Sequence, residues 1–395
     1  MPMSSQQWNF HPDQFWMRGE RPPAPVAYDE AKQLWNVYGY AEALQVLNDP
    51  ETFSSDLSVL APEGQRQIFP GNLTTMDAPE HTKMRKIVSG VFTRRVVAGL
   101  EPRIKEITHE LLDAVEPGDS FDLVEVLAHP LPVIVIAELL GVPSSDRPLF
   151  KEWVGKLLES NQAFSTGEDT PELQRQREEA LAQIRNLSDY LLDHVEQRRA
   201  APREDLLTRL VQAEVDGERL SPAEVGNFSL VLLVAGHITT TMLLGNTILC
   251  LDAHPSAMAA VRRDRARIPT AIEESLRLFS PLSTLRRVTT TAARIGDAEI
   301  PPRSVVMTWT AAAARDERQF RDPHTFDLDR ENIQHLSFGR GAHFCMGAPL
   351  ARLEGVLALN ILFDRFPALR RDPARDPEFM PGANVTGVEK LHLLT

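Results

Sequence analysis

Apolar positions along this chain recur mostly at helical spacing. The stretches Ala98 to Val115, Gln174 to Arg199, Ser221 to Ala253 and Ala348 to Phe366 all carry the pattern of long helices. Ser221-Pro222-Ala223-Glu224 reads as a capping box with proline at the first helical position. The helix it opens can run to Ala253, where His254-Pro255 stops it, a span of roughly 30 residues and about 45 Å. Thr270-Ala271-Ile272-Glu273 reads as a second capping box, opening a short helix that ends before Pro281. Strand signal is weaker. Ser304 to Trp309 is rich in β-branched residues, and Arg294 to Ile300, around Gly296-Asp297, reads as its hairpin partner. The pattern predicts a mainly α fold with a small β region.

The most apolar runs, Leu131 to Val142 and Leu230 to Ala235, fall short of the ~20 residues that a membrane span needs. Met1 to Arg21 has no basic start followed by an apolar run, so it does not read as a signal peptide. The expectation is a cytoplasmic protein without a membrane anchor. A net charge of −13 argues against nucleic acid as a partner. The two cysteines, Cys250 and Cys345, exclude a disulfide framework, and so few thiolates argue against a structural zinc site. Cys250, inside the long helix, reads as a small core residue.

Cys345 sits in Phe338-Gly339-Arg340-Gly341-Ala342-His343-Phe344-Cys345-Met346-Gly347, just before the helix that starts at Ala348. The glycines allow turns that side chains block and let main chain approach a flat cofactor. N–H groups at the helix start can point at the sulfur, where the helix dipole favours negative charge. A thiolate held there can bind iron.

This ten-residue string resembles the haem-binding signature of the cytochrome P-450 family, Phe-Gly-x-Gly-x-His-x-Cys-x-Gly. Further motifs follow the family's order. Glu274-Ser275-Leu276-Arg277 matches its Glu-x-x-Arg, three residues apart and so on one helical face. By resemblance Glu274, Arg277 and the later Arg330 form a buried structural network. Asp77 to Arg85 resembles a third motif, with His81 and Arg85 on one face. The resemblance implies haem b, with Cys345 as the metal ligand and Phe338, Gly339 and Gly347 in the cradle. It implies His81, Arg85, Arg287 and His343 as partners of the haem propionates, with Arg286 as a rival for Arg287. The motifs of this one site run from Asp77 to Gly347, which predicts a single large domain over residues 1–395.

Ala235-Gly236-His237-Ile238-Thr239-Thr240 resembles the oxygen-activating helix motif, Ala/Gly-Gly-x-acid-Thr. Ala235 and Gly236 leave space over the iron, and the Thr239 hydroxyl can relay protons. Ile238 stands where the family has an acid, which leaves the proton path open. By resemblance, the substrate pocket draws on Leu57, Val59, Leu60, Ile68 and Phe69, on a segment from Leu158 to Phe164, and on Leu232, Leu282, Leu285 and Val385. This apolar set implies a small hydrophobic substrate, and the resemblance to the family's bacterial branch implies secondary metabolism as the setting. The reaction implied is insertion of one oxygen atom of O₂ by hydroxylation or epoxidation. Electrons are expected from NAD(P)H through a ferredoxin and ferredoxin reductase, steered by Lys83, Lys86, Arg94, Arg95, Arg340 and Arg352. Two rivals are a peroxygenase driven by hydrogen peroxide and a non-catalytic haem protein that binds a ligand.

Overall fold

The computed structural model describes residues 10–61, 71–146, 149–150, 152–153 and 170–395. Its axis is the long helix Pro222–Ala253. The capping box forms as read: Ser221 Oγ accepts from Glu224 N at 3.2 Å, and Glu224 Oε2 accepts from Ser221 N at 2.7 Å. Helices Pro130–Leu140, Pro171–Ala200, Ile268–Leu278 and Ala348–Arg365 pack around it. Every residue from Thr240 to Leu251 is buried. Such enclosure removes the need for a polar face. By length and composition alone the helix is apolar enough to cross a membrane, a test that a buried core helix also passes. Scattered Gly, Thr and Asn break its apolar runs without adding charge, and 56% of its most apolar window is buried in the protein.

Two other helix boundaries move. Ala98 to Val115 is two helices, Arg94–Ala98 and Glu101–Leu112. Pro102 lies in the first turn of the second, and a proline there starts a helix but cannot continue one. The Thr270 capping box does not form. Its helix begins at Ile268 with Pro269 in the first turn and no side-chain cap. Asp264 instead caps the preceding 3-10 turn, accepting from Ala266 N at 3.0 Å.

The main sheet has five strands in the order Val26–Asp29, Leu34–Val37, Val305–Thr308, Leu285–Thr289 and Phe53–Ser54. Val305–Thr308 pairs parallel to Leu34–Val37 and antiparallel to Leu285–Thr289. The expected hairpin partner is elsewhere. Ala293–Ile295 pairs with Ala298–Ile300 as a separate two-stranded unit, closed by Gly296 at φ 57°. One apolar core joins Phe10 and Trp16 near one end of the chain to Leu391 and Leu393 near the other.

Candidate active site

The thiolate loop is set by its glycines. Gly339 and Gly341 have φ of 69° and 65°, a region that side chains disfavour. Gly341 also lies so close to the helix Tyr40–Asn48 that a Cβ would come within 2.6 Å of Leu47 O. Cys345 N donates to Phe338 O at 2.8 Å, which closes the loop. Burial pushes the Cys345 thiol up, while the Gly347 and Ala348 N–H groups and the charges of Arg85 and Arg352 pull it down. These are the helix-start donors expected from the sequence. Arg352 stacks over Phe338 with its guanidinium carbon 4.4 Å from the ring centre.

Cys345 opens onto a cavity of about 490 Å³, well inside the range of small-molecule and cofactor sites, roughly 300–1,000 Å³. The long helix crosses it over about four turns, presenting Phe228, Leu232, Ala235, Thr239 and Leu243 at helical spacing. Gly236 and Ile238 also reach the wall. A Cβ on Gly236 would collide with Ile136, so this glycine serves close helix packing as well as open space. Thr239 Oγ1 donates to Ala235 O at 2.8 Å and keeps its lone pairs for the cavity. A cleft of about 650 Å³ lies elsewhere on the surface, where Arg95, Arg103 and Arg209 face Glu138, Glu204 and Asp205. Its charges compensate one another, and it contains no thiolate.

Cations gather on one side of the cavity. Leu285 and Arg287 lie two apart on a strand and share a face, and both line the cavity. Arg286 points the other way and is exposed. Arg85 lines the cavity and donates to Phe344 O at 2.5 Å. His343 lines it too, and burial first, then His81 and Arg287, pushes its pKa down to about 4. His81 sits just behind, its ring centre 4.2 Å from that of His343. Its Nε2 is buried with no hydrogen-bond partner among the described residues. Burial and Arg85 lower the His81 pKa, so both imidazoles are neutral at neutral pH and each still has one N–H to donate. The sequence reading missed Ser55, whose Oγ lies 3.0 Å from His343 Nε2 while its N–H donates to Asp77 at 3.0 Å.

The structural network is buried. Glu274 Oε1 accepts from Arg277 Nη2 at 2.8 Å and from Arg330 Nε at 2.9 Å. Arg277 also donates to the carbonyls of Ala314, Pro323 and Thr325. This ties the helix Ile268–Leu278 to the loop that leads into the thiolate segment.

The apolar wall is partly as expected. Leu232, Leu282, Leu285 and Val385 line the cavity, and Leu282 bridges to Val385. Leu57, Val59 and Leu60 do not: they form a half-buried 3-10 turn outside the wall. Their side chains are apolar enough for either place, and tertiary packing decides. Ile68, Phe69 and the segment from Leu158 to Phe164 lie outside the described residues. Gln14 escaped the sequence reading. Its buried amide donates to Ala383 O and Val385 O, both at 2.9 Å, and anchors the tip that carries Val385. His237 does not line the cavity. It is fully buried against His129, ring centres 4.7 Å apart.

The expected basic face is reduced. Lys83 pairs with Glu218 at 2.9 Å, Lys86 with Asp216 at 2.6 Å and Arg352 with Glu273 at 2.6 Å. Arg94, Arg95 and Arg340 remain exposed.

A cysteine thiolate loop under an apolar cavity, in this helical frame, defines a haem-thiolate protein, and a sequence profile described as Cytochrome P450 matches residues 5–390. The chain belongs to the cytochrome P450 family, and it is a monooxygenase. It is 44% identical to cyclomarin C epoxidase CymV of Salinispora arenicola over 353 residues, covering 89% of this chain and 88% of that one. It is 43% identical to the erythromycin C-12 hydroxylase of Saccharopolyspora erythraea over 366 residues, covering 92% of this chain and 89% of that one. The crystal structure of HmtT, involved in himastatin biosynthesis, superposes with a TM-score of 0.91 at 51% identity, covering 100% of both chains.

Proposed function

We propose that this chain, as one cytoplasmic domain, binds haem b with Cys345 as the iron ligand and hydroxylates or epoxidises an apolar secondary metabolite. The observation that carries this is the meeting of Cys345, the cationic cluster and an apolar wall in one cavity. The residues present fit the group. Haem propionates are paired carboxylates that need cationic or N–H donors. Arg85, Arg287 and His343 offer these from the wall, and the orphaned His81 Nε2 lies beside them. Phe338, Gly339 and Gly347 let main chain approach a flat ring, and Glu274, Arg277 and Arg330 hold the supporting segment.

Thiolate-ligated haem iron supplies the activation of dioxygen from which one oxygen atom enters a C–H or C=C bond. The protein's share is positioning. Gly347 and Ala348 N–H groups stabilise charge on the sulfur. Leu232, Leu282, Leu285 and Val385 exclude water and bury substrate, at about 25 cal/mol per Å² of apolar area. Ala235 and Gly236 keep the helix wall low beside Thr239, whose hydroxyl can accept a proton and pass one on. The relatives named for cyclomarin, erythromycin and himastatin chemistry support a secondary-metabolite substrate. Electrons come from NAD(P)H by way of a ferredoxin and its reductase. Exposed Arg340 in the thiolate loop and exposed Arg94, on a helix packed against the one that follows that loop, suit an acidic carrier.

Cys345→Ala tests the assignment. The reduced carbon monoxide complex of the wild type should show the red-shifted thiolate band, and the variant should lack it. Survival of the band in Cys345→Ala would overturn the ligand.

A further inference from the structure

Two stretches of chain, distant in sequence, meet at one part of the cavity wall. Leu282 follows the helix Ile268–Leu278, and Val385 sits at the tip between the strands Glu378–Phe379 and Val388–Lys390. Ser283 N donates to Asn384 O at 2.9 Å and Thr386 N donates to Pro281 O at 3.0 Å. These two bonds make the bridge that sets Leu282 beside Val385. The bridge stands outside the named strands, so no neighbouring ladder holds it in place.

The N-terminal segment grips both stretches from behind the wall. Gln14 is 2% exposed, and its Nε2 lies 2.9 Å from Ala383 O, 2.9 Å from Val385 O, 3.1 Å from Ser283 Oγ and 3.1 Å from Thr386 Oγ1. Carbonyl oxygens only accept, so it is the amide nitrogen of Gln14 that faces the tip. Among the described residues no other donor reaches either carbonyl. Asn246 of the long helix holds the next residue, donating to Thr386 O at 2.9 Å, which leaves Ala383 and Val385 to Gln14. Phe10 packs on Phe279 with ring centres 6.0 Å apart and on Phe379 at 4.7 Å, close to where the two stretches begin. Trp16 packs on Trp309 at 5.0 Å, and the following residue, Thr310, donates to Leu282 O at 2.8 Å. Phe10, Gln14 and Trp16 do not themselves line the cavity.

We propose that residues 10–16 are a specificity element of this enzyme, with Gln14 as the positioning residue that fixes Val385, and Leu282 bridged to it, against the substrate. The inference rests on the haem-thiolate reading above, which is what puts a substrate against this wall. Gln14 acts through Val385. Holding the Val385 carbonyl back fixes where its side chain enters the cavity. Removing the amide strands two buried acceptors, and an unmet buried acceptor costs more than the bond itself is worth. The tip then shifts to find other donors, and the bridge carries Leu282 with it. A rigid apolar ligand that spans the cavity senses this shift, whereas a ligand small enough to stay at the iron does not.

The experiment compares haem-loaded wild type, Gln14→Met, Val385→Ala and the double variant, using two probes read by the red shift of the haem absorption band. Imidazole reaches only the iron. Clotrimazole carries the same ring on a rigid chlorinated triphenylmethyl group that presses on the wall. Met keeps the length of Gln and loses the donors. Gln14→Met should bind imidazole as wild type does and clotrimazole about tenfold more weakly, the size of one lost methylene contact in an apolar pocket. In the Val385→Ala background the same change should cost much less, because the contact it acts through is already gone, a non-additive pair. Equal clotrimazole affinity in wild type and Gln14→Met overturns the proposal. So do equal losses for both probes, the mark of a merely structural role, and a loss undiminished by Val385→Ala. Absence of the thiolate carbon monoxide band from wild type sinks the haem-thiolate reading instead. If Gln14→Met fails to load haem, deuterium uptake by the wild type decides. The amides of Ser283 and Thr386 should exchange slowly, and exchange at the rate of an open loop overturns the hold on the tip.

Discussion

Glu274→Gln should destabilise the fold far more than its small chemical change suggests. Glu274 is fully buried, and it is the carboxylate between two buried guanidiniums, Arg277 at 0% and Arg330 at 7% side-chain exposure. A third, Arg315, lies nearby. Burial, and then Arg277, pushes its pKa down to about 9, against the pull of Glu274. Gln keeps the shape and one accepting oxygen but removes the charge. Breaking a buried ion pair from one side costs about 3–5 kcal/mol, because the remaining charge stays desolvated. Two cations lose their partner here, while retained carbonyl acceptors from Ala314, Pro323 and Thr325 offset part of the loss. The expectation is the lower end, about 3 kcal/mol. Urea unfolding followed by circular dichroism should show the midpoint falling by about 1 M at unchanged slope. Glu273→Gln is the control. Its carboxylate is 27% exposed and pairs with Arg352 at 38% exposure and with His335 at 3.2 Å, so solvent screening should keep the loss below that of Glu274→Gln. If the two variants lose equal stability, the buried network is not what ties the helix Ile268–Leu278 to the following loop.

Two further outcomes are expected. Thr239→Val removes the hydroxyl and its bond to Ala235 O while keeping the shape. It should bind substrate and consume NAD(P)H as before, yet form less product and more hydrogen peroxide; a product yield per NAD(P)H equal to wild type would remove Thr239 from the proton path. His237 is held far below its ordinary pKa of 6.5 by burial and then by His129, so the unfolded chain binds a proton there that the folded chain does not. Stability should fall as pH drops below 6.5, by up to about 1.4 kcal/mol per unit relative to His237→Leu, and superimposable acid limbs would refute it.

What the sequence made legible is what local backbone chemistry demands. The thiolate loop needs left-handed turns at Gly339 and Gly341, and glycine is visible as glycine. Glu274 and Arg277 are three apart, so their contact follows from helix geometry alone. Arg330 is 56 residues away from Glu274, and only the family resemblance joined it to the network. The choice between Arg286 and Arg287 was in principle readable. Strand alternation puts one arginine on the face of Leu285, but the strand had to be known first. Leu57, Val59 and Leu60 went wrong because apolarity says that a side chain avoids water and not whether it faces core, surface turn or cavity.

The residues that stayed hidden share a different property: their meaning lies in their surroundings. Gln14 is one polar residue in an N-terminal stretch until its amide is found on Ala383 and Val385, more than 360 positions on. Glu354 reads as an ordinary helix glutamate, and glutamates on helices are usually solvated. Only the packed structure shows that both its carboxyl oxygens lack a hydrogen-bond partner among the described residues and that its face of the helix is the cavity wall. The loss of the acid at Ile238 is a departure from a pattern and can be seen in a line of text.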